Sequence, residues 1–212
     1  NLDMGAVTIT GDVVGASGTF SGQLVSSAKL ASVTIGGSLI GSSGEASGQV
    51  FSEGSMGPVT ITGDVRGGSF NAETEFAAAG AVVSGVNITS VTIGGSLIGG
   101  VGDLGGLLAS GLNNLALKDL GAVKITGDVR GGGGFKSGQI QSSGKLASLT
   151  IGGSLLGGAG IRSGAVETQS DMGAVQITGS VIGSNALGAG RISSVGKLAS
   201  ATIGGSLIGA GG

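Results

Sequence analysis

Three observations predict an all-β fold, a parallel β-solenoid of about eight coils of 26–32 residues. A pattern of the form V-x-I-x-G-x-[VL]-x-G recurs eight times along the 212 residues, beginning at Val7, Val33, Val59, Val91, Val123, Leu149, Val175 and Ala201. Successive starts lie 26, 26, 32, 32, 26, 26 and 26 residues apart. Within each copy the apolar residues alternate with polar ones, a period of two that marks a strand with one buried face. The chain is also rich in Gly, with 50 residues, and this composition gives order only where it is periodic.

Taken in chain order, the first element of each copy is the strand typified by VTI, with Val7 and Ile9 inward and Thr8 and Thr10 outward. Its Ile never varies, from Ile9 to Ile203, nor do the Gly residues two and six positions later. Three residues before each start runs another apolar column: Met4, Leu30, Met56, Ile88, Leu120, Leu146, Met172 and Leu198. The same parity continues along VTITGDV to Val13 and its counterparts, which read as part of that strand. A weaker strand follows in most copies, at 22–26, 48–52, 80–84, 138–142, 164–168 and 190–194. The fourth copy departs from this pattern, because Leu107 to Leu117 is apolar with an ambiguous register. Gly- and Ser-rich segments supply the turns between strands.

One such unit has about five core side chains, too few to offset the entropy of ordering so Gly-rich a segment. It must stack on like units and share their hydrogen-bond ladders, which is the architecture of a solenoid. An antiparallel meander or sandwich is the competing arrangement. It would need Asn-Gly or Asp-Gly hairpin signals, and the sequence contains none. The reading is a single solenoid domain over 1–212, part of a longer repeat array or filament. Odd copies resemble G-A-V-x-I-T-G-D-V and even ones L-A-S-V-T-I-G-G-S-L-[IL]-G, so the underlying repeat is 52 residues, two coils.

Several columns are candidates for function. Four residues before each start the sequence reads Asp3, Lys29, Ser55, Asn87, Asp119, Lys145, Asp171 and Lys197. Stacked about 4.8 Å apart, the charged members Asp3, Lys29, Asp119, Lys145, Asp171 and Lys197 form an assembly ladder that sets the register, since a one-coil slip would juxtapose like charges. A second column holds Val14, Ile40, Ile98, Leu156, Ile182 and Ile208, interrupted by Arg66 and Arg130. Simple alternation turns this column outward as a lateral contact stripe, whereas a bend after the Gly would turn it inward. A Thr column (Thr8, Thr34, Thr60, Thr92, Thr150, Thr202) is broken by Lys124 and Gln176, as expected of an ordinary exposed strand position.

Composition limits the chemistry. There is no Cys, His, Trp or Tyr, which removes disulfides, thiolate or imidazole metal sites and Ser–His nucleophiles. No catalytic, metal-binding or cofactor-binding residue is assigned, and the chain is read as not an enzyme. A net charge of −2 with ten scattered basic residues argues against a nucleic-acid surface. No apolar run is long enough for a helical membrane span. The strongest catalytic or sugar-binding set is Asp64, Arg66, Asp128 and Arg130, with Asp12 in the same column. These carboxylates are expected to hydrogen-bond backbone N–H groups of the adjoining Gly turn. Asn71, Glu73 and Glu75, in the six-residue insertion of the third copy, read as a solvated loop.

VTITGDVRGG (59–68) and VTIGGSLIGG (91–100) carry a resemblance that extends over essentially the whole chain. The sequence resembles the β-strand repeats of very large bacterial surface proteins of the planctomycete type, distantly akin to autotransporter passenger solenoids. The resemblance implies export and an extracellular or cell-surface location, as stalk, adhesin shaft or filament subunit. The expected function is accordingly a structural or interaction module that self-associates end to end, and laterally through the stripe. The alternative is a β-helix that binds or cleaves cell-surface polysaccharide.

Overall fold

A computed structural model describes residues 3–111 and 117–210. The chain winds as a parallel β-solenoid with three faces, each a sheet in which consecutive coils are hydrogen-bonded neighbours. In the first coil the strands are Met4–Ile9, Val13–Val14 and Leu24–Ser26. Among the described residues the first two faces carry eight strands each and the third carries seven. All pairings are parallel and in the register of the repeat: Ile9 pairs with Ile35, Ile35 with Ile61, and so on to Ile177 with Ile203. The antiparallel alternative is thereby excluded.

The five core residues per coil are the ones the pattern selects. In coil two these are Leu30, Val33, Ile35, Leu39 and Val50, all at most 1% exposed. Two consecutive outward residues, Ala31 and Ser32, separate Leu30 from Val33. This breaks strict alternation and explains the apolar column three residues before each start. Identical residues stack up the axis, so the core is a continuous rod of Ile, Val and Leu columns.

Three details differ from expectation. Val13 does not extend the first strand, which ends at Ile9; the Thr10–Asp12 turn carries Val13 onto a second face with its inward parity preserved. The weaker strand is three residues long rather than five, because Gly22 and its equivalents adopt positive φ and belong to the preceding turn. In coil four it is Leu108–Ser110, and residues 112–116 of the ambiguous segment lie outside the described residues.

The insertion of coil three is not simply a solvated loop. It forms a 3-10 turn at Glu75–Ala77 and buries Ala72, Ala77 and Ala78. Together with Phe51, Val83, Leu104 and Leu107 these make a small second apolar cluster outside the third sheet. Phe76 meets Phe51 edge to face at 5.2 Å between centroids, a geometry that aromatic quadrupoles favour.

Candidate functional site

The corner between the first and second faces carries a side-chain ladder made of Asp and Ser. The N–H of Ser38 donates to Asp12 Oδ1 at 2.6 Å, and the N–H of Asp64 donates to Ser38 Oγ at 3.1 Å. The series continues through Ser96 to Asp64, Asp128 to Ser96, Ser154 to Asp128, Ser180 to Ser154 and Ser206 to Ser180. Each coil therefore caps the next coil's turn, so these carboxylates bind backbone N–H groups as expected, but those of the following coil rather than of their own turn. Backbone donors that the tight turn takes out of the sheet need such partners.

The set Asp64, Arg66, Asp128 and Arg130 is thus engaged internally. Each Asp uses Oδ1 for the next coil's Ser and Oδ2 for its own Arg, at 2.6 Å in both pairs. Partial burial works to raise the Asp128 carboxyl, but the Ser154 N–H, the Arg130 hydrogen bond and the Arg130 charge together hold it below the ordinary carboxylate value. A lowered folded value means that Asp128 stabilises the fold above the unfolded value of about 4 and loses that contribution as pH falls through the lower folded one. Asp128→Asn should therefore show a smaller drop in melting temperature between pH 6 and about pH 3 than the unsubstituted chain. Equal drops in the two proteins would rule out this linkage.

The charge ladder occupies the corner between the third and first faces. Its register is as expected, since Met4 pairs with Leu30 and Met172 with Leu198, but its bonds are not ion pairs. Asp3, Asp119 and Asp171 each accept the N–H of the next coil's Lys through Oδ1, at 3.3, 2.8 and 3.0 Å. Asn87 accepts the N–H of Asp119 in the same way at 2.8 Å. Among the described residues every ion pair involves Arg, and none involves Lys29, Lys145 or Lys197. Alongside this ladder a groove of ≈ 470 Å³ runs from Asn87 to Lys197, floored by Gly121, Ala147, Gly173 and Ala199.

The stripe faces outward. Val14 is 56% exposed whereas its inward neighbour Val13 is 8% exposed. Ile40, Ile98, Leu156 and Ile182 are half-buried, because each covers its neighbour up the column, while Arg66 and Arg130 are exposed.

Two features of the third face escaped the sequence reading. A column of Ser or Thr from Ser26 to Ser194 closes the corner by donating to turn carbonyls: Ser52 Oγ reaches the Ala28 oxygen at 2.7 Å and Ser142 Oγ the Lys118 oxygen at 2.9 Å. Its signal was the hydroxyl at the end of every weak strand. The other feature is a charged cluster outside coils five to seven. Arg191 donates to Glu167 Oε1, Arg162 lies 3.8 Å from Glu167 Oε2, and Gln141 bridges Lys136 and Glu75. No spacing rule brings Glu75 and Gln141, 66 residues apart, into contact; the insertion does so. Nearby, Gln139 is fully buried without a protein partner for its amide, whereas the equivalent Gln49 donates to carbonyls of the insertion. Among the described residues no three carboxylates gather as a metal site, and no helix is long and apolar enough to cross a membrane.

These features define a parallel β-solenoid repeat protein whose coil corners are closed by side-chain ladders. No family model, curated protein or solved structure matches the chain.

Proposed function

We propose that the chain is a structural module of an extracellular or cell-surface assembly, a solenoid shaft serving as filament subunit, stalk or adhesin shaft and lengthening by coil stacking on coil. The in-register stacking of eight like coils around one continuous core carries this reading, because each coil face is built to be covered by another coil. Leu198 and Leu207 are 39% and 74% exposed, whereas their column mates Leu146 and Leu155 are 1% and 0%. A further coil on this face would cover them and complete the sheet edges, which are otherwise open templates. The ladders are compatible with such a junction: Ser206 Oγ would accept the N–H of the partner's Asp12, as Ser38 and Ser96 accept those of Asp64 and Asp128. The Asp type of coil one would likewise follow the Lys type of coil eight. The surface location, and any contact with cell-surface polysaccharide, rest on the resemblance of the repeats. A sugar-cleaving site at Asp64 and Asp128 is less well supported, because both carboxylates are already engaged.

Electron microscopy and fibre diffraction of the purified chain test this. Filaments with an axial repeat of about 4.8 Å, weakened by Asp3→Lys or Lys197→Asp alone, are expected. A chain that stays monodisperse at high concentration, with a melting temperature independent of concentration, would count against end-to-end growth.

A further inference from the structure

We infer that the groove beside the charge ladder is a lateral docking surface for a second copy of this chain, held antiparallel about a two-fold axis. The interface lies along the side of the rod and does not depend on axial stacking, although it shares Lys197 of coil eight with the proposed junction. Ser55 and Asn87 interrupt the ladder in coils three and four, but from coil five to coil eight it alternates without a break: Asp119, Lys145, Asp171, Lys197. The groove covers this whole stretch and reaches one coil further, to Asn87. All four side chains are exposed, and among the described residues the two ammonium groups take part in no ion pair. Asp119 and Asp171 accept their backbone N–H through Oδ1, which leaves Oδ2 for a second partner.

The order of charges selects the arrangement. Parallel chains in register would set like charges opposite each other, and a one-coil offset leaves a charge unmatched at each end and does not close. An antiparallel pair with its axis midway between the coils of Lys145 and Asp171 matches every member. Asp119 then faces the partner's Lys197, and Lys145 faces the partner's Asp171, each contact occurring twice by symmetry. Both ladders have the same axial rise, so the match holds along their whole length. The Gly and Ala floor carries no side chain beyond Cβ, so each ladder can lie along the other's trough at close range.

Sedimentation velocity at low ionic strength should show a dimer that dissociates as salt is added. Lys145→Asp puts like charges at two symmetry-related contacts and should raise Kd by about tenfold or more. Adding Asp171→Lys should restore the dimer, because the swapped chain again pairs opposite charges. Lys29→Asp makes the same charge change on the ladder outside the groove and should leave Kd unchanged. Asp171→Lys also removes the acceptor of the Lys197 N–H, so far-UV circular dichroism accompanies each variant, and carbodiimide cross-linking of the unsubstituted chain gives a second readout. Asp119 and Lys197 are three coil rises apart within one chain, roughly 14 Å, so a link between them reports the antiparallel pair. A monomer at every concentration, a folded double variant as weak as Lys145→Asp, equal weakening by Lys29→Asp, or no Asp119–Lys197 link would each overturn the inference. Single-width filaments lacking that link would leave axial growth standing and remove lateral pairing, and discrete dimers without filaments would do the reverse.

Discussion

Gly138→Ala is expected to cost about 4 kcal/mol or more, among the largest effects of a single methyl group in this fold. Gly138 has φ +64°, and a Cβ built there would lie 2.1 Å from the Arg130 carbonyl oxygen and 2.9 Å from the Gly99 nitrogen. Both are backbone atoms, fixed by the bond from the Gly99 N–H to the Arg130 oxygen at 2.7 Å. Relief would require one coil to move away from the next. The same turn contains its own control, because Lys136 is also left-handed, at φ 54°. Phe20, Ala46, Leu104 and Arg162 hold the equivalent place in other coils with φ between 49° and 60°. At that position an L side chain bears only the torsional penalty of about 1–2 kcal/mol. Lys136→Gly removes this penalty and adds roughly 0.5–1 kcal/mol of unfolded-state entropy, so it should be near neutral or slightly stabilising. Denaturant unfolding of the two variants separates the terms. A loss of only 1–2 kcal/mol for Gly138→Ala would show that torsion, not the carbonyl contact, makes this column Gly.

That contrast also shows what the sequence could and could not reveal. Invariant Gly columns are legible because the repeat prints them many times. The left-handed positions occupied by Phe20, Leu104, Lys136 and Arg162 are not legible, since no residue type announces them. The main core was readable, since the Leu30 and Ile35 columns follow from hydrophobicity at fixed offsets and stacking follows because one coil cannot bury them alone, but the second cluster around Phe51 and Ala77 was not. The corner ladders were readable only in part. Alternating signs at Asp119, Lys145, Asp171 and Lys197 suggested ion pairs, yet the carboxylates satisfy backbone N–H groups that lost their sheet partners at the turn. A desolvated backbone donor outweighs an exposed ion pair, which contributes about 0–1 kcal/mol. The charged cluster around Glu167 was hidden for a different reason. It is assembled across coils, with the insertion's Glu75 reaching Gln141, and such tertiary contacts leave no local periodicity.

Ile125→Ala should destabilise the isolated chain by about 2–5 kcal/mol, whereas Leu207→Ala should cost it less than about 1 kcal/mol. Ile125 is 0% exposed between Ile93 and Ile151, so truncation leaves a cavity that rigid neighbours cannot fill. Leu207 belongs to a column in which Leu39, Leu97 and Leu155 are 0% exposed, yet in the chain of 212 residues it is itself 74% exposed. If a second copy stacks on that face, the ranking reverses in the association equilibrium. Burying the Leu207 side chain is worth about 1.5–3 kcal/mol, so its loss should weaken end-to-end association by about tenfold to a hundredfold. Ile125→Ala should leave that association unchanged as long as the coils remain folded, since in a one-dimensional stack each unit senses its immediate neighbours. Melting at low concentration, combined with sedimentation or filament length at high concentration, reads both quantities. A Leu207→Ala chain that assembles as well as the unsubstituted one would mean that the exposed end of the core is not an axial interface. A crossed pattern would place folding energy inside the rod and assembly energy at its end, using the same column of side chains for both.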